Sequence, residues 1–167
     1  VISISNSVFY DCCSLEDITL PDSVTTIDDY AFYGCGSLKG IMIPNSVTSI
    51  GYMAFYECTS LTSVTIGNNV TSIGQEAFNY CESLTSVTIG NNVTSIGQEA
   101  FNYCESLTSI TIPDSITSIG DGAFKNCTSL TDVYYSGTMA QWEQISIGLK
   151  NETLISATIH CTDGDIN

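Results

Sequence analysis

The side chains of this chain that could do chemistry recur at a fixed interval. Two glutamate pairs, Glu76 with Glu99 and Glu82 with Glu105, are 23 residues apart. Carboxylates held about one strand apart can bridge a calcium ion, and they also match the separation used in retaining hydrolysis of glycosidic bonds. Six cysteines share the interval and could act as thiols in redox or metal chemistry: Cys12, Cys35, Cys58, Cys81, Cys104 and Cys127.

The other residue types argue against these chemistries. His160 is the single histidine, arginine is absent and no two cysteines have the CxxC spacing, so neither a zinc site nor a nucleophile with its base can be assembled. The Asp-Gly-Asp at residues 163–165 is too short for a calcium loop, although a calcium ion between stacked glutamates stays open. Hydrolysis would need a cleft that raises the pKa of one glutamate. We predict no catalytic residue, no metal and no cofactor.

The repeating cysteines are interpreted as inert core side chains. Each occupies a stacked position beside phenylalanine and leucine, which is typical of a small buried apolar residue. Disulfides between adjacent repeats stay open on distance, although parallel side chains make the torsion awkward. Cys13 and Cys161 lie outside this series and are expected about 25–30 Å apart, too far to bridge.

A 23-residue repeat organises the chain. Residues 67–89 recur at 90–112 with one change, Val87 to Ile110. Such a period is typical of a solenoid, in which each unit buries its apolar face against its neighbours. We expect an array over residues 1–135 that begins within a repeat at Val1, so the chain is interpreted as a fragment of a longer protein.

Within one repeat, apolar spacing predicts the inward side chains. Leu61, Val64 and Ile66 have the pattern of a short strand, a second inward pair follows a turn, and a compact turn or short helical segment carries Phe78. We also expect the serine before each repeating leucine to face inward and to bond the backbone: Ser14, Ser37, Ser60, Ser83, Ser106 and Ser129.

Residues 136–167 depart from the repeat and are predicted to cap it within the same domain. Residues 138–145 form the pattern of a short amphipathic helix around the only tryptophan, Trp142. The pattern Leu-x-x-Ala-x-Ile at 154–159 repeats that of 130–135 at a step of 24, so residues 156–160 are predicted as one more strand. Alternatively, Tyr134, Tyr135 and Trp142 could form an aromatic platform for a sugar.

The motifs resemble a known family. The unit Leu-Thr-Ser-Val-Thr-Ile-x-x-x-Val-Thr-Ser-Ile-Gly-x-x-Ala-Phe-x-x-Cys-x-Ser, found at 61–83 and 84–106, is similar to the repeat of BspA-like leucine-rich-repeat proteins. The tail from Val133 through Trp142 to His160 resembles the segment that closes many such arrays. The resemblance implies a right-handed, mostly β solenoid with short parallel strands on the concave side and turns and short helical segments on the convex side. It also implies a bacterial surface or secreted location and an adhesion role, without catalytic residues.

The net charge of the chain limits the classes of partner that it is expected to bind. The chain has 18 acidic residues, three lysines and a net charge of -15, so nucleic acid and anionic membrane are not expected as partners. No apolar run is long enough for membrane insertion.

The outward strand positions are the predicted binding face. They are Asp17, Thr19, Gly40, Met42, Ser63, Thr65, Ser86, Thr88, Ser109, Thr111, Asp132 and Tyr134. A hydroxyl-rich centre with acidic ends suits a glycan or a polar protein surface, although serine and threonine are also ordinary solvent-facing strand residues. We expect a monomeric, non-enzymatic adhesin-type module that binds an extracellular protein or glycan. The alternative is a spacer without a ligand, which the nearly identical units favour.

Overall fold

The computed structural model describes residues 2–167; Val1, the predicted start within a repeat, lies outside them. The strands are β1 (Ile2–Ile4), β2 (Val24–Ile27), β3 (Gly40–Ile43), β4 (Ser49–Ile50), β5 (Ser63–Ile66), β6 (Ser72–Ile73), β7 (Ser86–Thr88), β8 (Ser95–Ile96), β9 (Ser109–Ile112), β10 (Ser118–Ile119), β11 (Asp132–Tyr135), β12 (Ser146–Ile147), β13 (Thr158–Cys161) and β14 (Gly164–Ile166). The helices are α1 (Met139–Trp142) and α2 (Glu152–Ile155). The order confirms the predicted leucine-rich-repeat solenoid.

Two seven-stranded sheets line the solenoid. The concave sheet has the order β14-β13-β11-β9-β7-β5-β3, and the second sheet has the order β1-β2-β4-β6-β8-β10-β12. All pairs are parallel except β13 with β14. Each internal repeat therefore adds one strand to each sheet and forms one rung of the stack. The second sheet was not predicted, because most of its strands contain only two residues.

The core is built from columns of identical side chains. Phe32, Phe55, Phe78, Phe101 and Phe124 are fully buried, and neighbouring rings stack with centroids 5.0–5.4 Å apart. The backbone amides of the first four donate to an alanine carbonyl on the next rung, and that of Phe124 donates to Oδ1 of Asn151 at 3.0 Å. The constant spacing of the repeat thus sets the register of the stack, and burial of these large rings provides much of its stabilisation.

Glycines permit close approach of the rungs along a second column. A Cβ atom at Gly97 would lie 2.6 Å from the backbone nitrogen of Gln75, and one at Gly74 would lie 2.4 Å from the carbonyl oxygen of Gly51. Real Cβ atoms do not come this close to backbone atoms. A side chain at this position would therefore push adjacent rungs apart.

The serine prediction was wrong. Ser14 is exposed and the other five serines of that series are only half-buried, and their hydroxyls make no hydrogen bond within residues 2–167. Threonines bond the rungs instead: the hydroxyls of Thr48, Thr71, Thr94 and Thr117 each donate to the carbonyl of the corresponding threonine one rung earlier. These serines are at least partly exposed, so water can reach their hydroxyls.

In the repeats, the segment around each phenylalanine is a compact turn, and both described helices lie in residues 136–167. Neither helix is long or apolar enough to cross a membrane. Thr138 caps α1 in a capping box with Gln141, so the predicted helix forms, although it is shorter than expected. The strand predicted at 156–160 forms as β13, whereas α2 and β14 were not predicted.

The alternative prediction of an aromatic platform was also wrong. Tyr135 and Trp142 are buried and meet edge to face with centroids 5.2 Å apart. Only Tyr134 is exposed. Two of the three rings therefore close the core and are not accessible to a sugar.

Candidate binding surface

Two rows of outward side chains cross the concave sheet. One row pairs Met42 with Thr65 and continues through Thr88 and Thr111 to Tyr134. The second row lies two residues earlier on each strand and comprises Gly40, Ser63, Ser86, Ser109 and Asp132. Because the strands are paired in register, ten of the twelve predicted face residues lie on one continuous surface.

Asp17 and Thr19 do not belong to this sheet. Both are exposed, but residues 16–21 form no strand in the structure. Two contacts hold this segment beside the residue that precedes β3. The amide of Lys39 donates to the carbonyl of Glu16, and the Lys39 ammonium lies 2.6 Å from the Glu16 carboxylate. Thr19 still borders the face.

A groove of about 590 Å³ lies at the β3 end of the face. Thr19, Met42, Thr65 and Thr88 line it from the face, and side chains of the following turns, including Pro44, complete it. The Met42 side chain is 71% exposed, an unusual state for a methionine. The groove therefore combines hydroxyl groups with one flexible apolar contact.

The opposite end of the face contains a charged cluster that the sequence did not reveal. In His160, Nε2 lies 2.8 Å from Oδ1 of Asp132 and Nδ1 lies 3.0 Å from Oδ1 of Asp165. The ring also stacks on Tyr134, with centroids 4.8 Å apart. Hydrogen bonds to Asp132 and then Asp165 raise the pKa of His160, and the bond to His160 lowers the pKa of Asp132.

The register of β13 explains why this cluster was missed. A step of 24 would place Tyr134 beside Thr158, but β11 and β13 pair Tyr134 with His160 and Asp132 with Thr158. A shift of two residues keeps the same side chains inward, so apolar spacing cannot detect it. The adjacency of Tyr134 and His160 follows from that shift.

Comparison with known proteins identifies the repeat. A sequence model described as "BspA type Leucine rich repeat region (6 copies)" matches residues 2–144. The chain belongs to this family. No curated protein matches it.

Solved structures agree with this assignment. The BspA-type array is 30% identical to a leucine rich repeat protein of T. pallidum, over 78% of this chain and 68% of that chain, with a TM-score of 0.69. It is 28% identical to a leucine-rich repeat protein of Bacteroides ovatus, over 87% of this chain and 48% of that chain, with a TM-score of 0.66. The chain thus spans about half the length of the second protein. Families of this kind are generally non-enzymatic and often take part in protein interaction.

Five of the six repeating cysteines of this BspA-type array are buried free thiols, which agrees with the core interpretation, and the sixth, Cys12, is half-buried. Cys58, Cys81 and Cys104 are fully buried, and each donates to a phenylalanine carbonyl at 3.3–3.4 Å. Burial raises the pKa of Cys35 to about 11 and that of Cys127 to about 12. Cys13 is exposed. The buried thiols are neutral at physiological pH and therefore poor nucleophiles and metal ligands.

The stacked glutamates of the BspA-type turns differ in exposure and in hydrogen bonding. Glu76 and Glu99 are half-buried, and Glu76 accepts hydrogen bonds from Gln75 and Asn79. Glu82 and Glu105 are exposed. Among residues 2–167, no three histidine, cysteine or acidic side chains are placed to hold one ion.

Proposed function

We propose that this array is an adhesin-type binding module, displayed at the cell surface or secreted, that recognises an extracellular protein or glycan through the concave sheet. The proposal depends on the state of the threonine hydroxyls. Thr65, Thr88 and Thr111 are exposed, and their hydroxyls make no hydrogen bond within residues 2–167. Threonines directly before the strands of the second sheet, such as Thr71 and Thr94, already donate to backbone carbonyls.

This difference between unbonded and bonded threonine hydroxyls distinguishes a surface that can bind a ligand from one that holds the rungs together. A hydroxyl that bonds the next rung contributes to the stack, whereas an unbonded hydroxyl in a fixed row can bond a ligand without losing an internal contact. Adjacent strands are about 4.8 Å apart, so the free hydroxyls form an evenly spaced row. Such a row suits the repeating hydroxyls of a glycan or the backbone of a protein segment.

The ends of the face supply additional contacts. The groove around Met42 offers an apolar contact, and Tyr134 at the other end presents an exposed ring beside the His160 cluster. Aromatic rings and methionine are enriched where proteins bind partners. We place recognition along the full row, with the array acting as a monomer.

A matched pair of variants tests the proposal. In one, Thr65, Thr88 and Thr111 are changed to Lys; in the control, Thr71, Thr94 and Thr117, each directly before a strand of the second sheet, are changed to Lys. Both variants change the net charge equally and place lysines at exposed positions. Binding is measured on an array of extracellular-matrix proteins and glycans, with circular dichroism to check folding.

The expected result is a specific signal that is lost in the concave variant and kept in the control. Equal loss in both variants would place recognition elsewhere or make it a charge effect. Absence of any signal from the unmodified protein would favour the second candidate, a spacer that holds another domain away from the cell. The nearly identical residues 67–89 and 90–112 favour that candidate, since duplication lengthens a stalk without shaping a site.

A further inference from the structure

A column of tyrosine rings runs along the turns on the far side of the phenylalanine stack. Consecutive ring centroids in the column are 4.7, 5.0, 5.5 and 4.5 Å apart. The rings belong to Tyr10, Tyr33, Tyr56, Tyr80 and Tyr103. The column therefore crosses five rungs and is about 20 Å long.

The column continues where the repeat changes. Tyr56 directly follows its phenylalanine, as the two tyrosines before it do, but Tyr80 and Tyr103 come one residue later. These two tyrosines occupy a left-handed turn position with φ near 60° and still meet the column, Tyr80 against Tyr56 at 61° and Tyr103 against Tyr80 at 9°. Two different backbone positions thus supply one uninterrupted surface.

The tyrosines remain open to solvent. Tyr10 is 47% exposed, and the other four rings are half-buried. The hydroxyls of Tyr33 and Tyr56 make no hydrogen bond within residues 2–167, and neither is enclosed. Except at the tilted contact between Tyr56 and Tyr80, the ring faces cover one another, so the groups left for a partner are mainly hydroxyl oxygens and ring edges.

Carboxylates flank this column, and the cation beside it, Lys125, lies one rung beyond Tyr103, whose amide donates to the Lys125 carbonyl. Burial and then the charge of Glu57 raise the pKa of Tyr56 to about 12, with a smaller contribution from Glu76. Burial is the main cause of the raised pKa of Tyr80, to which Glu57 and Glu99 add smaller contributions. Lys39 is the only lysine or arginine before residue 125, and it is paired with Glu16. The column is therefore a strongly negative strip lined with hydrogen-bond acceptors.

We propose that the tyrosine column and its flanking carboxylates form a second interaction surface, which binds an extended lysine- or arginine-rich segment of a partner protein. Ammonium and guanidinium groups donate charge-assisted hydrogen bonds to hydroxyl and carboxylate oxygens. An extended segment advances about 3.4 Å per residue, so six residues match the column and place alternate side chains on it. The concave sheet, by contrast, is uncharged at its centre.

The test uses a fluorescently labelled hexalysine peptide and three variants of the whole chain. The column variant changes Glu57, Glu76 and Glu99 to Gln. The hydroxyl variant changes Tyr33 and Tyr56 to Phe, which keeps the stacked rings. The control variant removes three exposed carboxylates elsewhere and so changes the net charge as the column variant does: Asp22→Asn, Asp114→Asn and Glu143→Gln.

We expect the column variant to weaken peptide binding at least about tenfold, the hydroxyl variant about threefold, and the control less than about twofold, with unchanged thermal midpoints for all three. Equal weakening in the column and control variants would overturn the proposal, because binding would then depend on net charge alone. Failure of the unmodified protein to bind hexalysine at low salt would overturn it as well.

Discussion

The imidazole of His160 joins three strands, because its Nε2 lies 2.8 Å from Oδ1 of Asp132 on β11 while its Nδ1 faces Asp165 on β14. Only the protonated ring can donate to both carboxylates at once. The two hydrogen bonds therefore raise the pKa of His160 above its usual 6.5. Since β14 pairs only with β13, this contact also tethers the last strand to the face.

This contact makes stability depend on pH. A raised pKa in the folded state means that the contribution of His160 is complete below pH 6.5 and is lost as the pH rises through the folded value. The pKa of Asp132 is lowered in the folded state, so its contribution to stability has the opposite pH dependence. It is complete above the usual pKa of 3.8 and is lost as the pH falls through the lower folded value. We predict that His160→Gln lowers the thermal midpoint most at pH 5–6 and least at pH 9. A difference that does not vary with pH would contradict the prediction.

The cysteine thiols should differ sharply in reactivity according to their position in the fold. Cys13 is exposed, whereas Cys81 and Cys104 are fully buried with pKa values well above that of a free thiol because of burial. At pH 8 we expect a thiol reagent to modify Cys13 rapidly and the buried column only after unfolding, because the thiolate is the reactive form. Mass spectrometry of peptides after timed labelling gives the result. Rapid native labelling of Cys81 or Cys104 would refute the buried column.

Residues 136–167 can be tested as a cap through one side chain. Trp142 is 8% exposed and packs against Tyr135, whereas Leu149 in the same segment is 75% exposed. Trp142→Ala should lower the free energy of unfolding by about 3–5 kcal/mol, and Leu149→Ala by less than about 0.5 kcal/mol. Urea unfolding followed by circular dichroism measures both. Similar values for the two variants would mean that this segment does not close the core.

The repeat predicts most of the fold because each rung obeys the same spacing. Val64 and Ile66 alternate with exposed Thr65 as expected, and the phenylalanine and cysteine columns follow directly from the period. The spacing of apolar residues does not predict the second sheet, because a strand of two residues such as Ser72–Ile73 is too short to show alternation.

Pairing between distant residues limited the prediction of the face. Asp17 and Thr19 have the strand pattern, but residues 16–21 form no strand, and the spacing of apolar residues does not reveal this. The His160 cluster depends on a register that two alignments satisfy equally well. The tyrosine column escaped notice because its members occupy two different positions of the repeat.

The glycine column gives the most direct test of rung spacing. A Cβ atom at Gly97 would lie 2.6 Å from the backbone nitrogen of Gln75, and backbone atoms cannot move aside as a flexible side chain can. At Gly36 the nearest atom would be the Thr59 hydroxyl, 3.6 Å away, which is ordinary contact. Gly97→Ala should therefore cost about 2–3 kcal/mol, while Gly36→Ala should change stability by less than about 1 kcal/mol. The midpoint of urea unfolding compares them, and a Gly97→Ala protein as stable as Gly36→Ala would show that rungs do not need this close approach.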